Sequence, residues 1–423
     1  MKSESLVRPF ACLVPLALLT ACASPPPAVV PVTPPLASAP AAVASEAAVA
    51  TPVDVASAPV SAPVASAPVV VEPPPVQAAR PGGLNQAEAK ALLNKVLPAK
   101  IPGRAEWNAD ILDAFTALKI PYTPEYFCAA AAVIEQESSW QGDPTVPGLP
   151  TIVWNKIGEK AADKHIPLIA VKTALLKTSP TGESYKARID KLRTEREMNA
   201  IFEDLSADAA RLGLPMNMNN PIRTGGPMQV SVEFAESHVR VWPYPYPRTR
   251  SIRDTVFTQR GGTYFGIAIL LQYPAPYDDM RYRFADFNAG RYASRNAAFQ
   301  AALSKLSGRS VDLDGDLLSY QNGRPAAKSS DVEEALASIS GQLGMNRDAI
   351  RRDLTSEKLV GFGQTGLYKK VFALADARNG KPMPRVAMPQ IRLISPKITR
   401  KLTTEWFANR VDGRYQTCLA RAK

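Results

Sequence analysis

TPEYFCAAAAVIEQESSWQGD, Thr123 to Asp143, decides the reading of this 423-residue chain. Thr123 followed by Pro124 is a helix start: a threonine hydroxyl caps free backbone N–H groups, and proline is tolerated in the first turn because its missing N–H is not needed there. The apolar run from Phe127 to Ile134 carries the helix on, and Glu135-Gln136-Glu137-Ser138 ends it. With 3.6 residues per turn, Glu135 returns to the side of Cys128, whereas Glu137, nine residues past Cys128, points about 180° away. Only one of the two glutamates can therefore face a given cleft. A carboxyl in the last turn lies at the negative end of the helix dipole and beside apolar side chains, both of which disfavour its ionised form and suit it to act as a general acid. The plainer alternative is a pair of solvated glutamates on a surface helix.

Outward from this stretch the chain reads as mainly α. Asn85 precedes QAEAKALLNKVL, and AEWNADILDAFTALK repeats apolar residues at helical spacing. Further helices are expected at about 168–178, 183–212, 251–258, 262–272, 279–287, 292–306, 332–343 and 396–410. Strand signals are few, the best being VDLDGDLLSY.

The N-terminus has Lys2 and Arg8, an apolar run Leu13–Leu19 and then LTACAS, a charged segment, a hydrophobic segment and small residues in signal-peptide order. Leu19-Thr20-Ala21-Cys22 resembles the lipobox of bacterial lipoproteins, which implies a signal peptide over residues 1–21 and a lipid on Cys22. Ala23 and Ser24, in place of an aspartate, imply by the same resemblance an outer-membrane anchor facing the periplasm. Residues 22–82 are otherwise rich in Ala, Pro and Val, a composition that cannot bury a core and suits an extended, disordered tether.

Before Pro81 the basic residues are Lys2, Arg8 and Arg80 and the acidic ones Glu4, Glu46, Asp54 and Glu72, so of the chain's net formal charge of +11 the remainder carries +12. A basic surface suits an anionic polymer or a phospholipid headgroup, but no Lys/Arg run or nucleic-acid motif accompanies it, and no nucleic-acid partner is expected. With lipid on Cys22, Cys128 and Cys418 remain in the processed chain, either as a disulfide closing a very long loop or as two buried thiols. The only histidines are His165 and His238, and no cysteine pair has metal spacing, so neither a metal nor a cofactor is expected.

Four motifs occur in order. Glu137-Ser138-Ser139-Trp140 resembles the Glu-Ser-x-aromatic motif of the soluble lytic transglycosylases, the lysozyme-like enzymes that cut peptidoglycan glycan strands. Gly226-Pro227-Met228-Gln229 stands where that family has Gly-Leu-Met-Gln, and GGTYFGIAILL resembles its glycine and tyrosine helix. Phe287-Asn288-Ala289-Gly290 stands where the family has Tyr-Asn-Ala-Gly. The resemblance covers roughly Thr123 to Ser307. It implies a lysozyme-like catalytic domain over residues 83–309 and a C-terminal extension, 310–423, packed on it. It also implies peptidoglycan as partner, Glu137 as the single acid/base, Gln229 and Asn288 as hydrogen-bonding residues to sugar, Met228 as a packing residue of the cleft, Ser138 as support for Glu137, and Tyr264 as part of the wall. Most glycosidases need a second carboxylate. The family instead uses the substrate's own C6 hydroxyl as nucleophile and leaves a 1,6-anhydromuramic end.

This chain departs from that pattern in two places. A largely helical insertion, about residues 153–218, separates the first two motifs, and Phe287 lacks the family's tyrosine hydroxyl, so that either Tyr264, Tyr282 or Tyr292 supplies one or the enzyme is slow or inactive. The alternatives are a hydrolytic muramidase, with Asp143 or an acid from the insertion activating water, and a wall-binding protein without turnover. Elsewhere, Trp242, Tyr244 and Tyr246 between prolines form either a shelf for sugar rings or a packing segment. Asp312, Asp314 and Asp316 resemble a calcium loop but lack its glycine and its final glutamate, which favours a polar turn.

Overall fold

The computed structural model describes residues 83–213, 220–247, 251–321, 324–393 and 402–423. The signal peptide 1–21, Cys22, the tether to residue 82 and residues 214–218 of the insertion lie outside them. Among the described residues the fold is mainly α, with three isolated two-stranded antiparallel pairs. No helix among the described residues is long and apolar enough to cross a membrane.

Helix α1 (Gln86–Val96) begins at Asn85, whose side chain accepts from the N–H groups of Ala87 and Glu88 while the Glu88 carboxylate takes the N–H of Asn85, a capping box. After α2 (Arg104–Ala117) comes α3 (Pro124–Ser138), capped as expected by Thr123, whose hydroxyl accepts from Tyr126 N at 3.2 Å. The insertion follows as α4 (Leu149–Asp163), α5 (Leu168–Ala174), α6 (Tyr185–Asp190) and α7 (Glu195–Arg211). The single helix expected at 183–212 is thus two. Thr194 and Glu197 form a second capping box, and by satisfying the free N–H groups of a new helix start they break the chain at Lys191–Arg193.

A two-residue hairpin, β1 (Thr224–Gly225) and β2 (Val230–Ser231), pairs Thr224 with Ser231 and Gly225 with Val230. Then come α8 (Val232–Val241), α9 (Ile252–Val256), α10 (Gln259–Leu271), α11 (Met280–Ala289) and α12 (Ala293–Ser307). The strand signal around VDLDGDLLSY reduces to β3 (Tyr320–Gln321) on β4 (Arg324–Pro325). Helices α15 (Arg347–Leu354) and α16 (Gly366–Asn379), like α8 not expected from the sequence, follow α13 (Asp331–Ser338) and α14 (Ser340–Leu343). Strand β5 (Arg392–Leu393) pairs with β6 (Leu402–Thr403), which leads into the last helix, α17 (Thr404–Ala422). Of the helix expected at 396–410, residues 396–401 lie outside the described part.

Two cores organise these elements. The first joins buried residues of α1–α11 and α17, and the second joins the outer face of α12 to α13–α16. The C-terminal extension is therefore not one unit. Residues from Val311 to Ala375 contribute to the second core, whereas α17 returns to the first. There it packs against α3 and α11, with Tyr415 edge-on to Phe284, ring centroids 5.7 Å apart. Its end is held on α1 by Arg421 Nε donating to Val96 O at 2.6 Å. Cys418 is disulfide-bonded to Cys128, 290 residues earlier.

Candidate active site

Glu137 occupies the second-last position of α3 and is 3% exposed. Glu135, two residues before it, faces the opposite way, its carboxylate 3.7 Å from Arg414 Nε on α17. That is the side on which Cys128 meets Cys418, as the seven-residue spacing requires. The chain leaves α3 through Ser139 (φ +49°) and Trp140 (φ +65°), two consecutive non-glycine residues in the left-handed region. Such residues cost free energy and persist only where the surroundings hold them. Here the hold is visible: Trp140 is buried and stands edge-on to Trp107 of α2, ring centroids 5.4 Å apart. Gly142 then passes so close to Gln259, at the start of α10, that a Cβ there would come within 2.9 Å of its side-chain oxygen. Ser138 is buried, and its hydroxyl donates to Ile134 O at 2.9 Å, closing the last turn of the helix.

The β1–β2 turn docks on the same helix, α10, through its glycine face. A Cβ on Gly262 would lie 2.5 Å from Pro227, and one on Gly266 would lie 2.3 Å from the Met228 sulfur. The glycines of GGTYFG are thus what lets the Gly226–Gln229 loop approach. Met228 is fully buried in that contact, so it supports the loop from below. Gln229 is half-buried and left-handed at φ +50°, its N–H donating to Gly226 O at 3.1 Å.

Gln229 Nε2 donates to Glu195 at 3.1 Å, and Thr194, the residue before Glu195, donates its hydroxyl to Asp143 at 3.2 Å. The first turn of α7, in the insertion, therefore touches both the loop after Glu137 and the loop bearing Gln229. Burial pushes the Asp143 carboxyl upward from its ordinary value, against the hydrogen bond from Thr194. Sequence reasoning did not single out Glu195. The signal was the capping pair Thr194 and Glu197, which puts Glu195 at the first helical position.

The other expected site residues lie elsewhere. Tyr264 is fully buried among Tyr244, Tyr246, Phe265 and His238, with its hydroxyl 3.4 Å from His238 Nε2. Burial raises its pKa. Tyr244 and Tyr246 pack on Tyr264, and Trp242 Nε1 donates to Ala117 O at 3.2 Å, so the proline-braced aromatics are a packing segment. Asn288, half-buried near the end of α11, accepts from the Thr404 hydroxyl at 3.0 Å and so faces the start of α17. Phe287 beside it packs against the first core.

Asp286, fully buried one position earlier, accepts from Tyr273 and Tyr277 hydroxyls at 3.0 and 2.7 Å and from Tyr292 and Ser294 N–H groups at 2.8 and 2.7 Å. It thereby fixes the turn from α11 to α12. The Asp312–Asp316 segment is a polar turn: Asp314 accepts from Gln300 Nε2 and Asp316 N, and Asp316 pairs with Lys358. Among the described residues no group of three His, Cys, Asp or Glu side chains converges as a metal site.

Over residues 100–421 the chain matches the family described as "Protein of unknown function (DUF1615)". The chain belongs to this family. It is similar to a protein titled "Uncharacterized protein YaiW" of Escherichia coli (strain K12), 45% identical over 337 residues, covering 80% of this chain and 91% of that one. No solved structure matches. The family match spans α3, both motif loops, the insertion and α17, so the whole candidate site lies within it.

Proposed function

We propose that the protein is a peptidoglycan lytic transglycosylase with a lysozyme-like catalytic core, carried on a lipid anchor at the outer membrane and facing the periplasm. The observation that carries this reading is Glu137: a covered carboxyl at a helix end, followed by a strained turn, with its neighbour Glu135 turned away and engaged by Arg414. One acid/base is what intramolecular transglycosylation needs. Glu137 would protonate the glycosidic oxygen between N-acetylmuramic acid and N-acetylglucosamine, so that the bond to C1 breaks and the leaving sugar departs as an alcohol. The muramic N-acetyl group would steady the cation, and Glu137 would then take the proton of the C6 hydroxyl as that oxygen bonds to C1. Because nucleophile and electrophile share one sugar, the second step gains from proximity. The motif resemblance supplies the substrate class, and the docking of the loop after Glu137 and the loop bearing Gln229 on one helix is consistent with it.

A hydrolytic muramidase is the second reading, favoured by Asp143, whose half-buried carboxyl lies six residues past Glu137. The test is digestion of purified sacculi by the full chain in detergent, with mass spectrometry of the products and Glu137→Gln in parallel. Anhydro-muropeptides, lighter by one water than hydrolysed ones and released only by the wild type, are the expected result. Reducing-end products would replace the reading with hydrolysis, and sacculus binding without release would leave a wall-binding protein.

A further inference from the structure

We propose that Glu195, from the insertion, is a positioning residue of the site: it sets the orientation of the Gln229 amide that faces the substrate. This rests on the wall-cleaving reading and adds to it a role for the insertion, at which the chain departs from the family pattern.

The argument begins with chemistry. A carboxylate only accepts hydrogen bonds, so the Gln229 amide atom facing Glu195 has to be the nitrogen. At 3.1 Å that bond is well formed, and the same nitrogen lies 3.4 Å from Gly226 O. Two acceptors on one side draw both amide hydrogens to that side and turn Oε1 to the other. Gln229 is then held as an acceptor, the polarity that suits an amide N–H or a hydroxyl of an amino sugar. A glutamine without such a partner can present either end.

The backbone adds to the hold. The loop is fixed by the left-handed Gly226 and Gln229 and by the close seat of Pro227 and Met228 on α10, so the remaining freedom of Gln229 is its side chain. Glu195 is itself held in place. It is the first residue of a 17-residue helix whose cap, Thr194, is bonded to Asp143 and, through the capping box, to Glu197. The insertion thus contributes a residue to the site and locks the two motif loops to each other, which a passive covering segment has no need to do.

The experiment uses the full chain in detergent and compares wild type, Glu195→Ala, Glu195→Gln and Glu137→Gln for sacculus digestion kinetics, sacculus co-sedimentation and melting temperature. Glu195→Ala should raise KM roughly ten-fold, the effect of losing one charge-assisted hydrogen bond that orients a binding group, with kcat changed far less and melting little moved. Glu195→Gln keeps a carbonyl oxygen that accepts the same N–H and should restore KM close to the wild-type value. Co-sedimentation should weaken in step for Glu195→Ala alone.

Glu195→Ala indistinguishable from wild type in KM and in co-sedimentation would overturn the assignment while leaving the wall-cleaving reading intact. Equal loss of kcat in Glu195→Ala and Glu195→Gln would overturn it differently, by making Glu195 a proton-transfer group. If the wild type binds sacculi without cutting them, the cleavage reading falls and co-sedimentation alone decides Glu195. A wild type that neither binds nor cuts removes the reading and the assignment together.

Discussion

Cys418 on the last helix is disulfide-bonded to Cys128 on the helix that ends in Glu137, across 290 residues of chain. The bond adds a covalent tie to a contact that α17 already makes with α3, and α17 also buries Phe407, Ala408 and Val411 fully in the first core. Closing so long a loop restricts the unfolded chain strongly. Reduction, or Cys418→Ser, should lower unfolding free energy by about 2–5 kcal/mol. Chemical denaturation with and without reductant reads this directly, and unchanged stability would mean that the α17 packing alone carries the tie.

Gly226→Ala should be far more harmful than Gly148→Ala, although both glycines are left-handed, at φ +73° and +68°. The backbone term is common to both and costs about 1–2 kcal/mol. Only at Gly226 would the new Cβ also meet a backbone atom, Val256 O at 2.2 Å, whereas Gly148 opens onto empty space. The clash should add roughly 1–3 kcal/mol and displace the Gln229 loop from α10. Equal denaturation midpoints for the two variants would contradict this packing.

Asp286→Ala should rank among the most destabilising single substitutions in the first core. It would leave two tyrosine hydroxyls and two backbone N–H groups without the acceptor they share in a buried site. Removing one partner of such a network typically costs at least about 3 kcal/mol. Asp286→Asn, which retains one oxygen, should be milder. The measurement is the unfolding free energy of both variants by urea titration.

What could be read from the sequence was what is local. Thr123-Pro124 caps its helix whatever lies around it, and the seven-residue and nine-residue spacings from Cys128 assign Glu135 and Glu137 to opposite sides before any tertiary contact is known. The break at Thr194 was hidden because hydrophobic period runs across it, and only the capping pair with Glu197 marks it. Helix α15, capped by Asn346, is short and polar, so its sequence alone is a weak signal, and α16, capped by Thr365, buries only Leu367, Val371, Phe372 and Ala375 and is held by the second core. Tyr264 sits on α10, which is buried nearly all round, so periodicity could not say whether it faces cleft or core. The bond between Glu195 and Gln229 joins side chains 34 residues apart, and no local pattern encodes it.

His238 is fully buried against Phe234, Tyr264 and Phe265, and burial together with the charge of Arg291 pushes its pKa down to about 3. The ordinary histidine value is 6.5. Between those two values the unfolded chain takes up a proton that the folded chain refuses, so stability falls as the pH is lowered through that window, and above it the group makes no pH-dependent contribution. Whatever its size at pH 8, the stability difference between wild type and His238→Phe should therefore shift against the wild type as the pH drops from about 6.5 towards 4. Taking the difference between the two proteins cancels the other titrating groups that both contain. Urea unfolding at several pH values measures it, and a difference that stays constant across the window would show that His238 is protonated in the folded protein.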